Sequence, residues 1–256
     1  MNPPSIRNPS LIQSQKRAKI PGAAMVFAAG LGTRMRPITE ACPKPLVRVG
    51  GRALMDYTLD ALAQAGVERA IVNVHWLADQ IEAHVATRIQ PQILVSDERE
   101  KLLDQGGGIV KALSQLGADP FFICNTDAFW IEGPRSNLQA MADAWDGDKM
   151  DVLLLVAATA NSVGVDWPGD FTMAPDGKLT QRGEGRVAPF VYSGFGLIKP
   201  DLFAGDTREA FRLAPTFFEA AARGRLYGVR LDGLWLHVGT PEAIAEAEAA
   251  IARSKR

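Results

Sequence analysis

The run Ala24-Met25-Val26-Phe27-Ala28-Ala29-Gly30-Leu31-Gly32-Thr33-Arg34-Met35-Arg36-Pro37, followed by Pro43-Lys44-Pro45-Leu46, carries most of the information in this chain. Ala24–Ala28 reads as a short buried strand. Glycines placed directly after such a strand let backbone N–H groups approach an anion closely, and a nest of this kind binds phosphate. Arg34 and Arg36 add charge-assisted hydrogen bonds to phosphate oxygens. Lys44, stiffened between two prolines, presents a compact charge to the same anion. Two other phosphate motifs are excluded. A dinucleotide fingerprint requires a third glycine where Met35 stands, and a P-loop requires Gly-Lys-Ser/Thr, which the chain lacks.

Outward from this loop, short apolar strands alternate with helical periods. Ala53–Ala65 repeats apolar residues at helical spacing and stops at Gly66, a good left-handed cap. Leu77, Ile81, Val85 and Ile89 mark a second helix stripe, and Gly106–Leu116 and Leu138–Trp145 are further helices. Ala70–Val74, Ile93–Ser96, Phe121–Cys124 and Asp151–Ala157 read as strands. This alternation implies an α/β fold with a mostly parallel sheet and helices on both faces. Functional loops then belong at the C-terminal ends of the strands.

Beyond residue 160 the texture changes. Phe171–Met173 and Leu179–Gln181 flank Pro175-Asp176-Gly177-Lys178, a hairpin signal. Phe190–Ile198 and Leu226–Leu231 are strands with a helix around Phe217–Arg223, and Thr240-Pro241-Glu242 opens a terminal helix. No internal repeat or linker divides the chain, so residues 21–256 are expected to form one domain. Residues 1–20, rich in Pro, Asn, Ser and Gln, are expected to be a flexible tail.

Composition narrows the function classes. With 28 Lys and Arg against 29 Asp and Glu, the 256-residue chain lacks the basic surplus of a nucleic-acid binder. Two cysteines are too few for a disulfide framework. The longest apolar run, Val152–Ala160, falls far short of the ~20 residues that span a bilayer. A cytoplasmic protein acting on small molecules is the expectation, with neither nucleic acid nor membrane as partner.

The stretch Ala28–Leu46 resembles the signature of the sugar-1-phosphate nucleotidyltransferases. That signature reads Leu-Ala-Ala-Gly-x-Gly-Thr-Arg-Met-x-Pro-x-Thr and then Pro-Lys-Pro-Leu; this chain departs from it only at Phe27. The resemblance implies a single three-layer α/β/α Rossmann-like domain of the glycosyltransferase-A type, with a mixed, mostly parallel sheet. It implies a reaction that joins an NTP to a sugar 1-phosphate and releases pyrophosphate. In it Ala29, Gly30, Leu31, Gly32, Thr33 and Arg34 hold the triphosphate, and Lys44 contacts the reacting phosphates. Gln105-Gly106-Gly107-Gly108-Ile109 resembles the loop whose backbone recognises the nucleobase. Asn125-Thr126-Asp127 stands where the family has Asn-Gly-Asp, which gives Asn125 to the nucleotide and Asp127 to Mg²⁺. Arg34, Lys44 and Asp127 are thus the expected catalytic residues.

One position breaks the pattern. Trp235-Leu236-His237-Val238-Gly239-Thr240 resembles the family's Trp-x-Asp-x-Gly-Thr, with His237 replacing the aspartate that completes the metal site. Imidazole suits Mn²⁺, Zn²⁺ or another softer divalent ion better than Mg²⁺. Three readings stay open: His237 ligates such an ion, contacts sugar or phosphate directly, or marks a site resting mainly on Asp127. For the sugar, the resemblance points to Asp170 in Gly169-Asp170-Phe171, to Glu184, and to Ser193 and Gly194 after Tyr192. Gly-Asp-Phe and the triple-glycine loop are most similar to the family's uridylyltransferases of cell-wall sugar phosphates, which favours UTP. A guanylyltransferase acting on mannose 1-phosphate and a non-catalytic sensor are the alternatives. His75 and His84 have no such context, and His84 is expected to be exposed on a helix.

Overall fold

The computed structural model describes residues 17–255. Strand β1 (Ala23–Phe27) runs into the glycine loop. That loop folds through two single turns of 3-10 helix, Thr33–Met35 and Lys44–Leu46, with the short α1 (Ile38–Ala41) between them. A ribbon of β2 (Arg48–Val49) and β3 (Arg52–Ala53) leads to α2 (Leu54–Ala65), which ends where Gly66 adopts φ +88°. There follow β4 (Arg69–Val74), α3 (Ala78–Val85), β5 (Gln92–Asp97), α4 (Asp104–Leu116) and β6 (Phe121–Asn125). Then come β7 (Ala128–Glu132), α5 (Asn137–Ala144), β8 (Val152–Ala158) and the hairpin β9 (Phe171–Met173) with β10 (Leu179–Gln181). The long β11 (Phe190–Ile198), α6 (Ala214–Ala222), β12 (Leu226–Arg230), β13 (Gly233–His237) and α7 (Pro241–Ser254) complete the order.

The central sheet runs β12-β8-β11-β6-β1-β4-β5, with the β9–β10 hairpin attached beside the start of β11. Strands β6, β1, β4 and β5 pair in parallel, as do β8 and β12, while β11 is antiparallel to both of its neighbours. The fold is therefore a mixed, mostly parallel sheet between helical layers, as the alternation of elements predicts.

Strand periodicity builds the two cores. Ala24 and Val26 of β1 face the side covered by α2, α3 and α5, while Ala23 and Met25 face the side covered by α4 and α6. Leu153 and Leu155 of β8 alternate in the same way with Val152 and Leu154. Each buried Leu, Ile or Met contributes roughly 1.5–3 kcal/mol, against about 0–1 kcal/mol for an exposed ion pair, so these faces dominate stability. A third, smaller core lies under the phosphate loop. There Met35, Val47 and Val49 pack with Leu236 of β13 and with Ala243, Ala247 and Ala250 of α7.

Four differences from the sequence reading have clear causes. The α3 stripe ends at Val85, and Ile89 is 88% exposed, because the chain turns toward Pro91 instead of continuing the helix. Strands β7 and β13, not foreseen, form a separate antiparallel pair whose members lie about a hundred residues apart in the chain. His84 is half-buried rather than exposed, with Nε2 2.9 Å from Asp56 Oδ1. Of the expected tail, residues 1–16 lie outside the described residues. Ala18 is hydrogen-bonded to Asp143 and Gln139 of α5, and Ile20 packs on the first core, so the end of that segment is docked. Among the described residues no helix is long and apolar enough to cross a membrane.

Buried Asn137 anchors the outer end of the β7–β13 pair. Its Nδ2 donates to Glu132 Oε1 and to the Asp232 carbonyl, and its Oδ1 accepts from the Asp232 N–H at 2.7 Å. Asn137→Ala leaves these groups without partners, at a cost of about 1–3 kcal/mol. A lower urea midpoint with an unchanged m-value is the expected outcome.

Candidate functional site

Gly32 sets the phosphate loop. It sits at φ +62°, and a Cβ there would lie 2.9 Å from Thr39 Cγ2 and 3.1 Å from Lys44 Cβ. Thr39, itself buried, donates from Oγ1 to the Gly32 carbonyl at 2.8 Å and accepts Trp76 Nε1–H on its own carbonyl. The sequence pattern Gly-Thr-Arg…Thr is thus a local clasp in which only glycine fits. Gly30, Leu31, Thr33 and Arg34 stand exposed on this loop, and Ala28 and Ala29 are buried at its base.

Asp127 follows β6 by two residues, at a C-terminal strand edge of the sheet. Its Oδ2 accepts from Lys44 Nζ at 2.9 Å, with the two side chains 24% and 13% exposed. Burial alone would raise the Asp127 carboxyl. Lys44, aided by His237, outweighs that and holds it well below the usual carboxylate range. Thr126 replaces a family glycine without blocking the site, because its hydroxyl is spent on the Phe27 carbonyl at 2.9 Å.

The β7–β13 pair delivers His237. Its register sets His237 opposite Ala128, and the Val238 N–H donates to the Asp127 carbonyl at 2.8 Å. His237 Nδ1 faces the Gly164 carbonyl at 3.2 Å, and a carbonyl can only accept, so Nδ1 carries the proton. The opposite ring nitrogen, Nε2, faces Asp127 Oδ2 at 3.8 Å. Carboxylate and imidazole are both ligand types for a divalent ion, so Asp127 and His237 form a donor pair that fits one, beside the Lys44 ammonium from which Asp127 Oδ2 accepts. The carbonyl behind the ring is the usual orienting partner of a metal-bound histidine. Among the described residues no group of three or more His, Cys, Asp or Glu side chains converges, so these two would be the protein's share.

Three cavities meet at Asn125. The first, of about 320 Å³, is lined by Ala29, Gly30, Gly32, Lys44, Gln105 and Asp127 among others. The second, of about 350 Å³, lies between Asp170, Arg182, Tyr192 and Phe217. The third, of about 310 Å³, joins them past Arg34, Asp127, Ser193, Gly194 and His237. A bulge in β11 between Tyr192 and Gly196, with Gly194 at φ +90°, turns this strand toward Asn125. Asp170 is fixed from both sides, Oδ1 by Trp167 Nε1–H and Oδ2 by the Tyr192 N–H, while burial pushes its carboxyl up.

The model of the MobA-like NTP transferase domain matches residues 24–227. The chain belongs to that family. It is 46% identical to an N-acetylmuramate alpha-1-phosphate uridylyltransferase of Caulobacter vibrioides, over 93% of this chain and 100% of that one. A protein of the same name from Neisseria meningitidis is 32% identical over 88% of this chain and 96% of its own length. Among solved structures, the inositol-1-phosphate CTP transferase of T. maritima aligns with a TM-score of 0.70 at 18% identity. That alignment covers 90% of this chain and 98% of that one, and it speaks for the shared fold.

Within this nucleotidyltransferase fold, the expected site residues fall into three groups. Ala29, Gly30, Gly32, Lys44, Gln105, Asn125 and Asp127 line the first cavity, and Arg34 and His237 the third. Asp170 lines the second and third cavities, and Ser193 and Gly194 line the third. Leu31, Thr33, Gly106, Gly107 and Glu184 line none of the three cavities. Glu184 stands exposed in the turn after β10.

The triple glycine has a structural reason within the chain. Close approach is indeed the reason for it, but the approaching group is the chain itself. Gly106 N–H donates to the Phe211 carbonyl at 2.8 Å, and a Cβ on Gly106 would overlap the Phe211 ring. A Cβ on Gly107 would overlap the Glu209 carbonyl. Leu102, Asp104 and Gln105 line the cavity instead, with Gln105 Nε2 donating to Asn125 Oδ1 at 3.0 Å.

The sequence reading also missed Asn73. Its Oδ1 accepts from the Ala28 N–H, and its Nδ2 donates to buried Glu98, whose other oxygen accepts from the Leu103 N–H. This network ties the phosphate loop to the 98–105 loop. A lone polar residue inside the apolar run Ala70–Val74 was its signal. Trp167 and Arg182 gave no comparable sign.

Gly106→Ala is expected to destabilise the protein by about 1–3 kcal/mol through overpacking. Phe211→Ala in the same chain should relieve part of that cost. A double-mutant cycle on thermal unfolding reads the coupling, and strict additivity would exclude the contact as the cause.

Proposed function

We propose that this protein transfers the uridylyl group of UTP to N-acetylmuramate 1-phosphate, giving UDP-N-acetylmuramate and pyrophosphate. The observation that carries this reading is the convergence of Lys44, Arg34 and His237 around Asp127, which lines both the first and the third cavity. One cavity has the glycine-loop backbone suited to a triphosphate; the other has the size and hydrogen-bonding groups suited to a sugar. The names of the Caulobacter and Neisseria relatives supply the substrate.

An oxygen of the sugar phosphate attacks the α-phosphorus of UTP in line. The bond from that phosphorus to the bridging oxygen breaks, and pyrophosphate leaves with the electron pair. Both reactants arrive as activated phosphates, so no serine or cysteine nucleophile is required. The chain contributes alignment and charge neutralisation. Lys44 and Arg34 lower the repulsion between two polyanions. The Gly30–Gly32 backbone holds the triphosphate, Gln105 and Asn125 orient the nucleoside, and Asp170 accepts from sugar hydroxyls. Asp127 and His237 would hold a divalent ion, which would supply Lewis-acid neutralisation of phosphate oxygens. With one nitrogen donor in place of an oxygen, Mn²⁺ is favoured over Mg²⁺ relative to a two-carboxylate site.

Pyrophosphate release across a panel of nucleotides and sugar phosphates tests the substrates. Preference for UTP with N-acetylmuramate 1-phosphate is expected, and activity confined to GTP with mannose 1-phosphate would overturn the assignment. UTP binding by calorimetry without pyrophosphate release under either metal would overturn catalysis itself. Lys44→Met is expected to lower kcat/KM by about 10²–10³-fold, the usual loss for one preorganised charge on a reacting phosphate. His237→Asp should shift the optimum from Mn²⁺ toward Mg²⁺. Full activity and unchanged metal dependence in His237→Ala would remove His237 from the site.

A further inference from the structure

The sugar-side cavity has one cationic wall. Among its lining residues Arg182, which follows β10, is the sole Lys or Arg. Its guanidinium is held in place by the backbone: Nε donates to the Gly169 carbonyl at 2.8 Å and Nη1 to the Arg186 carbonyl at 3.0 Å. Nη2 has no hydrogen-bond partner among the described residues, and no carboxylate among them lies within ion-pair distance of this side chain. Asp170, the acid on the same wall, has both oxygens engaged by Trp167 and Tyr192. A half-buried guanidinium fixed by neutral carbonyls, with an open edge and no carboxylate of the described residues within ion-pair distance, is a receptor for an anion; Asp170 stands further off on the same wall. Tyr192 lines the same cavity, and its buried hydroxyl has no hydrogen-bond partner among the described residues.

We infer that Arg182 recognises the carboxylate of the sugar substrate. N-acetylmuramate differs from N-acetylglucosamine by a lactyl ether whose carboxylate is the added charge. Lys44 and Arg34, at the other end of the site, serve the phosphates, which leaves Arg182 for a second anion on the sugar. Charged recognition of this group then separates the two sugar phosphates, which share ring, acetamide and phosphate. The inference rests on the substrate reading given above and names the residue behind it.

The test compares N-acetylmuramate 1-phosphate with N-acetylglucosamine 1-phosphate, each with UTP, in wild type, Arg182→Ala and Arg182→Lys. Arg182→Ala is expected to reduce the wild-type preference for the carboxylate sugar by about 10–100-fold, chiefly through KM, as for a lost charged contact to substrate. Arg182→Lys should recover part of the preference, because it keeps the charge but loses the fork. A fall of equal size on both sugars, with the preference within about twofold of wild type, would overturn the inference. It would assign Arg182 to loop support or to the shared phosphate. Thermal melting of both variants separates misfolding from lost recognition, since misfolding lowers both rates together. Wild type that fails to use the carboxylate sugar at all would overturn the substrate reading, and this inference with it.

Discussion

The contact between Lys44 and Asp127, 2.9 Å long and spanning 83 residues of chain, organises the site. Lys44 rides on a turn made rigid by Pro43 and Pro45, and Asp127 stands just beyond the end of β6. Both charges are mostly removed from water, so each supplies the compensation that the other needs, and deleting either would strand its partner. Both side chains line the first cavity, so the pair borders open space. Two parallel strands, β1 and β6, set its geometry, because the glycine loop leaves from one and the acid from the other.

Around that pair the molecule assembles groups from remote stretches of sequence. The β7–β13 pair carries His237 to the carboxylate, and α7 buttresses it from behind through the small core under the phosphate loop. Trp235 stacks on the His237 ring at 5.8 Å, Trp167 meets it edge-on at 5.3 Å, and the Gly164 carbonyl fixes its proton. The imidazole is thereby held with one ring nitrogen turned toward Asp127. On the other side, the β11 bulge and the 98–105 loop close on Asn125, which is shared by all three cavities.

The parts legible in the sequence are those whose cause is local. A strand followed by Gly-x-Gly-Thr-Arg reads as a phosphate loop because backbone clearance and positive φ are properties of single residues. The alternation of apolar runs with helical stripes reads as a parallel sheet because each element buries its own face. Gly106 and Gly107 show the limit. Their need for clearance was legible, but what fills it was not, since Glu209 and Phe211 lie a hundred residues further along the chain. Arg182 shows it again: its significance lies in having no acidic partner, a property of its surroundings.

The sequence by itself therefore determined the fold class, the phosphate loop and the identities of the two charged groups that meet beside it. Only the tertiary structure decided which groups share a cavity. It brought His237 toward Asp127 through strand register, packed Gly106 and Gly107 against Phe211 and Glu209, and left Glu184 in solvent. The physical reason is distance along the chain. Propensity, capping and backbone clearance act over a few residues, whereas the pairing of charges and the lining of a cavity depend on which remote strands become neighbours.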